Sequence, residues 1–238
     1  MARRSAESFT LPSPIAVALD APDLARAVAL ASAVRASVST LKVGLELYIR
    51  YGAEAVEQVR DVAPNQALFL DLKLHDIPNT VAGAARSVAH LQPDILTVHA
   101  SGGAAMIWAA AEALPHTRIA AVTVLTSMSA KDLESVGLQG PPIDAVRRLA
   151  ALAVGAGASA LVCSPQEVAA VRAEVGADIL LITPGVRPVG ADVGDQQRIA
   201  TPQQALADGA DLLVIGRPIT AANDPAQAAA QLASSLVN

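Results

Sequence analysis

Leu68-Phe69-Leu70-Asp71-Leu72-Lys73-Leu74-His75-Asp76-Ile77-Pro78-Asn79-Thr80-Val81 carries an apolar run into three charges and then into a proline. In a strand, side chains two residues apart share a face, so Asp71 and Lys73 are predicted to project together at the strand's end. Asp76 follows just beyond it, where the chain can fold back or leave for a neighbour. Pro78 ends the extended run, and Val81, Ala84, Val88 and Leu91 continue at helical spacing. A lysine set between two carboxylates at the exit of a buried strand points to chemistry rather than to solubility.

The same strand-to-helix unit recurs along the chain. Candidate strands are 15–19, 39–44, 67–72, 95–98, 119–124, 159–163, 179–182 and 211–215, which makes eight. Alanine-rich segments with helical periodicity separate them, as in Leu24, Val28, Ala31 and Val34. Ser164-Pro165-Gln166-Glu167 combines a side-chain cap, a proline at the first helical position and a glutamate able to close a capping box. Thr201-Pro202 repeats that logic, and Asp224-Pro225 opens the last helix. Eight β/α units in this length predict an α/β fold, a single-domain (β/α)₈ TIM barrel spanning 1–238. An open doubly wound sheet is the rival, but it wants a glycine-rich turn after an early strand, where the chain has Asp20-Ala21-Pro22-Asp23. Residues 1–13 read as an N-terminal extension. Segment 183–200 is polar and without periodicity, and is expected to be a mobile loop that closes over phosphate.

Composition narrows the function. Hydrophobic residues make up 53% and charged ones 16%, so an extensive core is expected, and aromatics at 2% leave it to Ala, Val, Leu and Ile. The same scarcity removes stacking platforms for nucleic-acid bases, and a net charge of −5 argues against a polyanion-binding surface. One cysteine, Cys163, leaves neither a disulfide framework nor a cysteine-rich zinc site. The longest uncharged stretches, 95–111 and 149–166, are broken by His99, by glycines and by Pro165, so no membrane span is expected. Arg3-Arg4 precedes an apolar segment too short for an export signal, and a cytoplasmic protein is expected.

In such barrels the active site lies at the carboxyl ends of the strands. There the sequence places Asp20, Lys42, Asp71 with Lys73, His99, Thr126 with Ser127, Pro184-Gly185-Val186-Arg187, and Gly216-Arg217. Taken singly, several have plainer readings. Asp20 is also a turn or helix cap, Lys42 a solvated lysine, His99 a hydrogen-bonded barrel histidine and Cys163 core; His75, His90 and His116 are read as structural. Gly216 permits close backbone approach, and Arg217-Pro218 can open a short helix beside a phosphate, to which the arginine adds a fork of donors. Gln196 can close over the same phosphate.

These motifs in order, namely Ala18-Leu19-Asp20, Leu41-Lys42-Val43-Gly44, Asp71 to Thr80, Thr126-Ser127, Thr183 to Arg187, Gly194-Asp195-Gln196 and Ile215-Gly216-Arg217, resemble the orotidine 5'-phosphate decarboxylase family. The first dozen residues and the tail after 221 carry no family signal. The resemblance implies decarboxylation of orotidine 5'-monophosphate to uridine 5'-monophosphate in pyrimidine synthesis, with no cofactor and no metal. It also implies a homodimer whose active sites are shared across the interface. Asp20 and Lys42 would then bind the ribose, with Asp71 ordering Lys42. Asp71, Lys73 and the partner's own copy of Asp76 would surround the pyrimidine C6, with Lys73 as proton donor. Thr80 of the partner would reach the ribose, Ser127 the pyrimidine edge and Pro184 the ring, and Thr126 would also bind substrate. Arg217, Gln196 and Gly216 would hold the phosphate, and Arg187 would support the phosphate loop or its rim.

Two other functions suit the scaffold. A metal-dependent sugar-phosphate enzyme would want acidic or histidine ligands on early strands, where this chain offers Lys42. A non-catalytic sensor of a phosphate ligand would need no proton donor such as Lys73.

Overall fold

A computed structural model of the chain describes residues 13–187 and 200–236. Eight parallel strands close into a barrel in sequence order, each paired with the next and the last with the first. They are β1 (Ile15–Ala18), β2 (Thr40–Gly44), β3 (Ala67–Leu74), β4 (Ile95–His99), β5 (Arg118–Val122), β6 (Ala160–Val162), β7 (Leu180–Thr183) and β8 (Leu212–Ile215). Every predicted strand is present, and the closed barrel rather than the open sheet is the fold.

Alternation along the strands sorts the core into two layers. Ala16, Phe69, Ile95, Ala120, Ala160, Leu180, Ile182 and Leu212 fill the barrel interior, where small residues from three strands make room for Phe69. The opposite strand faces pack against the helices through a larger cluster of Val, Leu, Ile and Ala. Among the described residues Phe69 is the one fully buried aromatic of either cluster, Tyr48 and Tyr51 pack partly buried against the larger one, and Trp108 is exposed.

Local chemistry explains the helix starts. Asp23 caps helix Leu24–Val34 by accepting from the Arg26 N–H at 2.7 Å. Asp20, three residues earlier, is therefore not that cap. Thr201 and Asp224 cap helices Pro202–Ala207 and Pro225–Ser234 as expected. At Ser164 the outcome differs. Glu167 accepts from the Ser164 N–H at 3.0 Å, but the Ser164 hydroxyl binds the Gln166 N–H, and the helix begins only at Val168. Pro165 and Gln166 form a turn instead of a first helical turn.

One strand breaks its ladder. Leu70 pairs with Leu96 and Leu74 with Val98, so four steps along β3 match two along β4. Lys73 lies inside this bulge with φ +49°, a left-handed conformation that L residues adopt at a cost. Among the described residues no helix is long and apolar enough to cross a membrane.

Candidate active site

A cavity of about 560 Å³ opens at the carboxyl ends of the strands. Its wall takes Asp20 from the end of β1, Lys42 from β2, Asp71 and Lys73 from β3, and Thr126 from the segment after β5. Pro184 and Arg187 follow β7, and Gly216 and Arg217 follow β8. Strand-end position thus brings nine predicted residues to one place.

Register sets the charged pairs. Parallel pairing puts Ala18 beside Lys42 and Gly44 beside Asp71, so the ends of β1, β2 and β3 stand next to each other. The Lys42 ammonium lies 3.2 Å from Asp71 Oδ2 and 3.5 Å from Asp20 Oδ1. The Lys73 ammonium lies 2.8 Å from Asp71 Oδ1. The four side chains alternate in sign, Asp20, Lys42, Asp71, Lys73. Lys42 is 6% exposed, which replaces the solvated-lysine reading with a paired, buried cation. The Lys73 side chain is 30% exposed and presents its ammonium to the cavity. Burial alone would raise the Asp71 pKa, but the ammonium groups of Lys42 and Lys73 and hydrogen bonds from Lys73 and Thr97 outweigh it. They hold the carboxyl below its ordinary range, so Asp71 stays ionised at neutral pH.

Glycine has a steric task here. A Cβ on Gly44 would stand 2.8 Å from Asp20 Oδ1 and 3.0 Å from Lys42 Nζ, so any side chain would push the pair apart. Arg187 is 8% exposed. Its N–H donates to the Ala200 carbonyl at 3.0 Å, and its guanidinium donates to the Val186 carbonyl at 2.9 Å. Arg217 opens the short helix Arg217–Thr220, as Arg217-Pro218 predicts.

Other predicted residues stand apart. Asp76, Thr80 and Ser127 are exposed and outside the cavity wall. Asp76 makes no ion pair among the described residues, and its carboxylate accepts from the N–H of Ile77 at 2.7 Å. The Asp71, Lys73, Asp76 triplet is therefore divided within one chain. Gln196, and with it most of the 183–200 loop and the 1–13 extension, lies outside the described residues. His99 makes no side-chain hydrogen bond among the described residues, against expectation. It is half-buried, with its ring centroid 5.3 Å from that of His75. Burial, then His75 and Lys73, push its pKa down, with Asp71 opposing.

Sequence reading missed the cavity's apolar wall, which includes Phe69, Val122, Val124, Val162 and Cys163. Phe69 belongs to the barrel interior as well, and only a position near the strand ends distinguishes the other four from core. It also missed Thr97, whose hydroxyl donates to Asp71 Oδ1 at 2.9 Å. Its parity with His99 on β4 was the available signal.

Known proteins resemble this chain over almost its whole length. A sequence model described as the orotidine 5'-phosphate decarboxylase / HUMPS family matches residues 13–232. The match runs past 221, so family likeness continues into the final helix, where none was expected. A protein named orotidine 5'-phosphate decarboxylase from Thermobifida fusca is 70% identical over 224 residues, 94% of this chain and 96% of that one. One of the same name from Frankia casuarinae is 54% identical, covering 98% and 92% of the two chains. The crystal structure of orotidine 5'-phosphate decarboxylase from Lactobacillus acidophilus superposes with a TM-score of 0.83 at 34% identity, over 95% of this chain and 100% of that one. By sequence and by fold, this chain belongs to the orotidine 5'-phosphate decarboxylase / HUMPS family.

Proposed function

We propose that this protein is a carboxy-lyase that converts orotidine 5'-monophosphate to uridine 5'-monophosphate and carbon dioxide, in pyrimidine synthesis. The observation that carries the proposal is the alternating array Asp20, Lys42, Asp71, Lys73, which ends in an ammonium facing the cavity. Breaking the C6–carboxylate bond leaves an electron pair on C6, in the plane of the ring, where the ring carbonyls delocalise it little. A fixed cation beside C6 stabilises that charge, and Lys73 can then deliver a proton to the same atom. Asp71 keeps Lys73 charged and aimed, at 2.8 Å. The lysine regains its proton from solvent, so the cycle needs no cofactor.

Residues of the wall, together with Ser127 and Gln196, suit the substrate's other groups. Asp20 and Lys42 bind the ribose hydroxyls, Ser127 the pyrimidine edge, Pro184 packs on the ring, and Thr126 also contacts the substrate. Arg217, the backbone of Gly216 and Gln196 take the phosphate, while Arg187 supports the loop between 183 and 200, whose closure the phosphate favours. Two ammonium groups flanking Asp71 at 3.2 and 2.8 Å oppose a divalent cation on that carboxylate, which supports chemistry without a metal.

The remaining carboxylate comes from a second copy of the chain. Asp76 and Thr80 are exposed beside the exposed Ile77 and away from their own cavity. In a homodimer both residues enter the neighbouring site, with Asp76 beyond Lys73 and Thr80 at the ribose. The protein works in the cytoplasm, as a single barrel domain. The direct test follows ultraviolet loss of orotidine 5'-monophosphate with purified protein, with and without a chelator. Turnover insensitive to chelator supports the proposal; absence of turnover, or turnover abolished by the chelator, overturns it.

A further inference from the structure

Thr97 lies in the middle of β4, fully buried, and is not part of the cavity wall. Its hydroxyl makes two bonds into the bulge of β3. It accepts from the Lys73 N–H at 2.8 Å and donates to Asp71 Oδ1 at 2.9 Å. The direction of both bonds is fixed, because an amide N–H only donates and an ionised carboxylate only accepts.

Both bonds meet a need created by the bulge. Where four steps of β3 face two of β4, the regular ladder cannot supply every backbone partner, and Lys73 is also held at φ +49°. The Thr97 oxygen replaces the missing ladder acceptor at a residue held in the left-handed region. The second bond acts on the carboxylate. Asp71 Oδ1 is shared by Lys73 Nζ and the Thr97 hydroxyl, while Oδ2 faces Lys42. Without the hydroxyl the carboxylate can rotate, and the Lys73 ammonium loses its fixed bearing.

We infer that Thr97 is a positioning residue for Lys73: its hydroxyl sets both the backbone from which the lysine projects and the carboxylate that aims it. The inference rests on the proposed decarboxylation. Since Thr97 is outside the cavity wall, the effect falls on the chemical step rather than on nucleotide binding.

The test compares Thr97→Val, which keeps the shape and removes the hydroxyl, with Thr97→Ser, which keeps the hydroxyl. Thr97→Val should lower kcat by about 10- to 100-fold with KM for orotidine 5'-monophosphate within about threefold, and Thr97→Ser should stay within about threefold of wild type. A kcat for Thr97→Val within about threefold of wild type, or a Thr97→Ser variant as slow as Thr97→Val, overturns the inference. If Thr97→Val does not fold, Thr97→Ala is compared with Thr97→Ser by the same criteria. Hydrogen exchange at the Lys73 amide gives a readout independent of turnover. Protection should fall in the variant lacking the hydroxyl, and unchanged protection overturns the backbone role. A wild-type protein without decarboxylase activity would overturn the functional proposal, leaving the exchange measurement to decide the Thr97 claim alone.

Discussion

Asp71 Oδ2 holds the ammonium of Lys42 at 3.2 Å in a place where neither side chain is more than 10% exposed. Deleting one partner of such a pair strands the other charge away from water. Asp71→Ala would leave Lys42 with Asp20 alone, at 3.5 Å, as its counter-charge. We expect that variant to lose about 3–5 kcal/mol of unfolding free energy in urea titrations. Replacing both residues with apolar ones of similar size, Lys42→Met with Asp71→Leu, should recover most of the loss while leaving the protein inactive. A single variant within about 1 kcal/mol of wild type would mean that Lys42 finds water or another partner.

Lys73 should separate chemistry from binding. Lys73→Ala removes the ammonium facing the cavity but leaves Lys42, Asp20 and Arg217 in its wall. Turnover should fall by at least about 1,000-fold, while uridine 5'-monophosphate binds within about tenfold of wild type by calorimetry. A loss of turnover of only a few-fold would refute the proton-donor assignment.

How much of this was legible in the sequence depends on how far apart the interacting residues lie. The strands and most helix starts follow from local periodicity and caps, and β3 was readable because its apolar run ends in charges. Strand-end position brought Asp20, Asp71, Lys73 and Arg217 to one cavity. The state of Lys42 was not readable locally. It is buried because register places the end of β2 between Asp20 and Asp71, and register is set across the whole sheet. The bulge at Lys73 was hidden for a similar reason. Parity counting assumes regular pleating, while the left-handed residue and its Thr97 partner depend on contacts 24 residues away. Ser164 failed in the other direction, since its capping residues are right but the chain makes a turn before the helix.

Arg217 should govern the phosphate. An arginine at the cavity wall beside Gly216 offers a fork of charged donors, and its loss should raise KM for orotidine 5'-monophosphate by about 10- to 100-fold. The nucleoside orotidine, which lacks the phosphate, should be turned over equally poorly by wild type and Arg217→Ala. An unchanged KM for the nucleotide in the variant would remove the phosphate from this end of the cavity.

His99 gives stability a pH dependence near neutrality. Burial, His75 and Lys73 push its pKa below the ordinary 6.5, with Asp71 opposing. Between the folded and unfolded values the unfolded chain binds more protons, so stability rises with pH in that window. The contribution of neutral His99 is complete above about pH 6.5 and is lost as pH falls toward the folded pKa. Asp71, also lowered, acts in a separate window below about pH 4, where its stabilisation disappears on protonation. Denaturation midpoints measured from about pH 8 to 5 should therefore fall less steeply in His99→Asn than in wild type. Parallel curves would show that the ring titrates alike in both states.

The proposed sharing of sites between two chains makes a prediction that no single-chain mechanism makes. Asp20 lines the cavity of its own chain, whereas Asp76 is exposed and outside that wall. Asp20→Asn and Asp76→Asn homodimers should each be nearly inactive. In a mixed dimer, the cavity of the Asp76→Asn chain keeps its own Asp20 and receives an intact Asp76 from the Asp20→Asn chain. Its twin cavity carries both defects. Random exchange of equal amounts makes about half of the dimers mixed with one good site of two in each, so about a quarter of wild-type activity should return. Exchange can be followed independently with two affinity tags. Activity that stays at the level of the parents after exchange is complete would mean that each chain uses its own Asp76, and the barrel would then have to bring that exposed carboxylate to Lys73 by a movement of the segment between β3 and Pro78.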